Sequence, residues 1–219
     1  MNPDVFLALL AFAFVASITP GPNNLMLLAS GVNFGFWRTF PHMCGIAGGF
    51  CLLLLAVGFG LGALLAAYPP LHIALKLAGG AYLLFLAWKI ATTRRMSEGK
   101  GGERPMTFVE AAAFQWVNPK AWVMAITAMA IYTDPARPFL SVVLVAAAFT
   151  LVNWPSVSTW AGFGVMLKRF LADPARLKWF NIAMGVLLAL TLVRCCCDQA
   201  YCEESAAGLA LGHEPFARR

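Results

Sequence analysis

The sequence predicts an all-α integral membrane protein, six transmembrane helices in a 3+3 inverted repeat with broken first and fourth helices. Three observations carry this expectation. The 219 residues are 60% hydrophobic and only 12% charged, with mean hydropathy +0.73, whereas a soluble domain has about a quarter charged residues. Apolar stretches fall near 4–32, 42–66, 71–91, 107–132, 138–166 and 178–194, each close to the roughly 17 residues or more that span hydrocarbon. Helix breakers interrupt the first and fourth stretches at corresponding places, as in transporters built from inverted repeats.

The first span opens with Asp4 and no Lys or Arg. A secretory signal would carry a basic leader, so a retained helix with its N-terminus outside is expected. Thr19-Pro20-Gly21-Pro22-Asn23-Asn24 lies within it. Each proline removes a donor and clashes with the carbonyl four residues back, at about 3 kcal/mol in a helix interior. Lipid cannot solvate the freed groups, so such backbone persists only where it lines a protein-enclosed cavity. Here the freed carbonyls are those of Ala16 and Ile18.

The second span holds Cys44 and Cys51, seven residues and about 10 Å of helical rise apart. That separation excludes a disulfide between them within one helix and suggests small packing residues. The third span holds Lys76 near its outer end, where it would snorkel. The fourth begins near Glu110, placed to complement the helix dipole, and carries Val117-Asn118-Pro119-Lys120 near its middle, with Trp116 and Trp122 flanking. Pro119 frees the carbonyl of Gln115. In the fifth span Asn153-Trp154-Pro155-Ser156 is expected to interrupt the helix and free the carbonyl of Leu151. The sixth span is the shortest.

Basic residues gather in alternate loops: Arg38; then Lys89, Arg94, Arg95, Lys100 and Arg104; then Lys168, Arg169, Arg176 and Lys178. The loops around Tyr68-Pro69-Pro70 and Thr133–Pro138 offer only Arg137. The positive-inside rule places the basic loops in the cytoplasm and both termini outside. The net charge of +6, divided among short loops, does not form a nucleic-acid surface.

Residues 1–194 are expected to form one transporter domain with repeat halves at about 4–91 and 107–194, leaving an atypical tail at 195–219. Gly58-Phe59-Gly60 recurs as Gly162-Phe163-Gly164, and Leu77-Ala78-Gly79-Gly80-Ala81-Tyr82-Leu83 parallels Ile182-Ala183-Met184-Gly185-Val186-Leu187-Leu188, with Lys89 matching Arg194. The offsets are 104 and 105 residues. Pro22 and Pro119 then occupy corresponding helices.

The expected substrate site comprises Thr19, Pro20, Gly21, Pro22, Asn23, Asn24, Gln115, Asn118, Pro119, Lys120 and Asn153. A half-helix starting near Asn23 offers N–H groups and a positive dipole end to a carboxylate. Freed carbonyls suit an ammonium group, and asparagine amides donate and accept without fixed charge. Asn23 and Asn24 alternatively cap the helix after the break. Lys120, the one basic side chain near a midplane, either attracts the carboxylate or bonds to carbonyls of the broken first helix.

Nothing indicates catalysis. His42, His72 and His213 are expected at helix ends or in the tail, and Ser/His/Asp, HExxH, Walker and GxGxxG-after-strand patterns are missing. Without an ATP-binding loop, coupling to an ion gradient or facilitated release is expected. Neither a cofactor nor a metal is called for. Cys195, Cys196, Cys197 and Cys202 do not have a zinc spacing.

These motifs resemble the LysE/RhtB family of bacterial amino-acid exporters. The resemblance runs over roughly residues 5–194: the Thr19–Asn24 motif, Leu77–Leu83, Leu86-Ala87-Trp88-Lys89 and Phe114-Gln115-Trp116-Val117-Asn118-Pro119-Lys120. The Pro-Gly-Pro-Asn-Asn form and Leu-Ala-Trp-Lys-Ile look closest to the cysteine/O-acetylserine exporter subgroup. The resemblance implies export of an amino acid or close derivative across the inner membrane, driven by protons. Many members place an acidic or polar residue where this chain has Phe50 after Gly48-Gly49, which argues against a lysine or arginine cargo. The tail matches nothing in the family pattern.

The expected function is thus a secondary transporter exporting a small neutral amino acid of the cysteine/O-acetylserine or threonine/homoserine type, not an enzyme. Its partners would be that substrate, the lipid bilayer and protons. One rival is a membrane thiol-disulfide electron carrier, which would need cysteines on the broken helices, where there are none. Other rivals are an exporter of basic amino acids and a non-transporting assembly protein.

Overall fold

The computed structural model describes residues 3–93, 104–134 and 136–191, with the backbone alone at 65, 66, 69, 71, 72, 75 and 76. The expectations for the tail, for Arg94, Arg95 and Lys100, and for the side chains of His72 and Lys76 therefore lie outside the described residues. Those described are helical, with no strand among them.

Helix α1 (Pro3–Ile18) starts on a proline, where a missing N–H costs nothing. Leu9, Ala13 and Ser17 recur every fourth residue and are its buried stripe, while Leu7, Phe14 and Val15 stay exposed. It ends because Pro20 cannot donate; the last bond runs from Thr19 N–H to the Val15 carbonyl. After the extended residue Gly21, α2 (Pro22–Phe34) sets off at 55° to α1. Most of α2 is buried, Leu25 to Asn33 without exception, making it the central helix. It stops at Gly35, whose φ of 82° is the left-handed conformation favouring glycine, with its N–H on the Gly31 carbonyl.

Because that turn is so tight, α3 (Phe36–Ala56) begins six residues before the expected span at 42. It runs through a widened turn at Val57–Leu61, where Gly60 has φ 112°, into α4 (Gly62–Ala67). Next come α5 (Pro69–Thr92), α6 (Phe108–Gln115) and α7 (Pro119–Tyr132), then α8 (Pro138–Lys168) and α9 at 174–191. Two runs, Phe36–Leu64 and Pro138–Lys168, are long and apolar enough to cross a membrane, and the bent α1–α2 pair qualifies as a third. The expected spans at 71–91, 107–132 and 178–194 fall on α5, on α6 with α7, and on α9.

Two expectations need correction. Pro155 does not interrupt its helix: α8 is continuous over 31 residues. One proline removes one backbone bond, and α8 is clamped along its length by α1, α2 and α3. Nor is His42 at a helix end. The early start of α3 puts it in the second turn, 1% exposed.

The helices meet through small residues, as membrane helices do when lipid is as apolar as leucine. At the α2–α8 crossing, a Cβ on Gly31 would lie 3.1 Å from Gly164 Cα and collide with the Ala161 carbonyl. Aromatic side chains fill the space around α8, with Phe149 edge-on to Phe12 and Phe50 at 5.8 and 5.7 Å. The triplets Gly58-Phe59-Gly60 and Gly162-Phe163-Gly164 serve different ends. Gly60 forms a bend, while Gly164 makes a crossing.

Candidate functional site

The breaks at 18–22 and 115–119 come together. Asn23 Nδ2 donates to Gln115 Oε1 at 2.8 Å, and Gln115 Nε2 returns a bond to Asn23 Oδ1 at 3.1 Å. Lys120 Nζ donates to the Thr19 carbonyl at 2.7 Å. Gly21 makes that approach possible, since a Cβ there would lie 2.7 Å from Lys120 Cδ.

Side chains satisfy much of the freed backbone. Asn24 Nδ2 donates to the carbonyls of Ser17 (2.8 Å) and Thr19 (2.9 Å), and the Trp160 indole N–H reaches the Ile18 carbonyl at 3.1 Å. At the second break Asn118 Oδ1 accepts from Lys120 N–H at 3.2 Å and caps α7, while the Trp122 indole donates to the Trp116 carbonyl at 2.8 Å. Asn23 and Asn24 do not cap α2. Its N-cap is Gly21, which has no side chain to offer.

Between the breaks lies a small, partly open cavity of about 30 Å3. Among the expected site residues Gly21, Asn23, Asn24, Gln115, Asn118, Lys120 and Asn153 line it. Thr19, Pro20, Pro22 and Pro119 do not. Thr19 enters through its carbonyl to Lys120, and the prolines act by opening the helices. Trp116 and Trp122 do not wall the cavity but pack against the core around Phe149.

Ser17, Ile46 and Met124 also line the cavity and were not expected there, and Phe50, the position set apart by the family pattern, lines it as well. The Ser17 hydroxyl is buried with no hydrogen-bond partner among the described residues. Ile46 and Phe50 lie one turn apart on α3, a spacing that reveals a shared face but not what it faces. Lys120 is the one lining side chain with formal charge, and no acid lines the cavity. Glu110 sits away from it, in a capping box with Thr107 and bonded to both ends of the Arg104 guanidinium at 2.7 Å. That contact holds the Arg104 pKa above its ordinary value. Cys44 and Cys51 are free, half-buried thiols on α3.

The family model described as LysE type translocator matches residues 14–195. The chain belongs to that family. Among relatives of this LysE-type chain, the cysteine/O-acetylserine efflux proteins of Escherichia coli (strain K12) and Shigella sonnei (strain Ss046) are each 31% identical over 198 residues. The matches cover 89% of this chain and 97% of each relative. No solved structure matches. Family and apolar helices together make this a multi-pass membrane protein of the translocator class.

Proposed function

We propose that this LysE-type protein is a secondary exporter of a small neutral amino acid, of the cysteine or O-acetylserine kind, bound between the two helix breaks. The carrying observation is the composition of the cavity wall: one cation, several amides, an unpaired serine hydroxyl and the Phe50 ring, with no carboxylate. Lys120 and the N–H groups opening α2 hold the substrate carboxylate. Amide oxygens and backbone carbonyls hold the ammonium. Phe50 leaves a lysine or arginine side chain without a counter-charge, so basic cargo is disfavoured.

Supporting this reading, the relatives named above carry cysteine and O-acetylserine efflux in their names. Supporting a 3+3 inverted repeat of six spans, each break has a carbonyl answered by an indole and a proline opening the following helix. The basic loops point to a cytoplasmic face and thus to periplasmic termini in the inner membrane. Protons are the proposed coupling ion. The role is transport rather than catalysis.

Efflux of labelled O-acetylserine and cysteine from proteoliposomes tests the site. Lys120→Ala should lower export tenfold or more, since hydrogen bonds to charged groups contribute about 1.5–3 kcal/mol, and Pro22→Ala should also lower it. Wild-type export by both variants at equal abundance would sink the site.

A further inference from the structure

A second cavity, of about 70 Å3 and larger than the first, lies further along α2 and toward the start of α3, on the side of the basic loops. Asn23 and Asn24 face the central cavity, while Ser30 and Asn33 of the same helix face the second. On α3 Ile46 lines the first and His42 the second, four residues and about 6 Å apart. Leu27, which falls between Asn24 and Ser30 on α2, packs in one buried cluster with Ile46 of α3 and makes an apolar septum there.

The buried polar side chains around the second cavity are paired, with one exception. Ser30 bonds Thr39 at 2.8 Å, Asn33 Nδ2 donates to Asn181 at 3.1 Å, and Asn181 donates to the Thr93 carbonyl at 3.0 Å. His42 is 1% exposed, lines the cavity, and has no partner at either ring nitrogen among the described residues. A buried imidazole left out of an otherwise completed network calls for an explanation. At the outer end, exposed Lys89 and Arg104 also line the cavity. Arg104 spends one edge on Glu110, which leaves guanidinium N–H groups over.

We propose that this second cavity is a loading site for the outgoing amino acid. Lys89 and Arg104 take its carboxylate, and His42 makes a polar contact at the deep end, before the septum opens to the central cavity. The proposal rests on the export reading and its cytoplasmic placement of the basic loops. A chamber on the cytoplasmic side, with basic groups at its outer end and polar groups along its wall, would lie on the path to a midplane site.

Uptake of labelled O-acetyl-L-serine into inverted membrane vesicles, which present the cytoplasmic face, tests it with the full chain. His42→Leu and Lys89→Met should each raise KM about tenfold, the loss of one charged hydrogen bond, with little change in maximal rate. Uptake into right-side-out vesicles should keep the wild-type KM. Lys89 is exposed, so its variant tests the site even if the His42 variant misfolds. An unchanged KM for Lys89→Met in inverted vesicles, or an equal rise from both faces, would overturn the loading site alone. Wild-type vesicles that move neither O-acetylserine nor cysteine would overturn the export reading and the loading site with it.

Discussion

The two helix breaks meet the same problem in different ways. The second is largely self-sufficient: Asn118 caps α7, Val117 N–H closes a tight turn on the Phe114 carbonyl, and Trp122 comes from the helix it serves. The first depends on the rest of the molecule. Trp160 reaches it from α8, Lys120 from α7 and Asn24 from the α2 side of the bend. A locally completed break is a fixed post, whereas one held by distant donors changes shape when they move. The difference makes the α1–α2 bend the more dependent of the two breaks on the packing around it.

Breaking one representative of each kind sharpens the contrast. Asn24→Leu orphans the Ser17 carbonyl and leaves the Thr19 carbonyl to Lys120 alone, so it should destabilise the protein by about 1–3 kcal/mol, the cost of one orphaned buried group, and abolish export. Asn118→Ala removes a single cap and should cost about 1 kcal/mol. Unfolding titrations in detergent check both, and equal losses would erase the distinction. A smaller effect tests the link between the breaks. A double-mutant cycle of Asn23→Ala and Gln115→Ala should show a coupling of about 0.6–1.7 kcal/mol, the range for hydrogen bonds between membrane helices. Smallest of all, the breaks contain no cysteine, so Cys44→Ser and Cys51→Ser should leave export within about twofold. Lost activity in that assay would revive the electron-carrier alternative.

Much of this was legible in the sequence because proline chemistry is local. Pro20, Pro22 and Pro119 open helices wherever they occur in such company, and Asn118 sits where a cap must sit. The Asn23–Gln115 pair was not, since it joins residues 92 apart and either amide is satisfied equally well elsewhere. Pro155 misled because a proline reports a lost bond, not whether neighbouring helices hold the two halves in line. His42 misled because Gly35 starts α3 earlier than hydropathy suggests. Phe50 stood out only against a family pattern, and its place in the cavity wall required the packing of α3 on the breaks.

The single lysine of the central cavity, with no carboxylate to balance it, has an energetic consequence. Under the proposed reading a zwitterion bound there would cross without net charge, so the membrane potential would neither drive nor oppose its passage. That potential supplies about 2.3 kcal/mol per elementary charge per 100 mV, and an exporter of this design can draw on it only through an ion that moves with the cycle. Each proton admitted per molecule released would set the steepness of the gradient the cell can maintain, whatever the cargo.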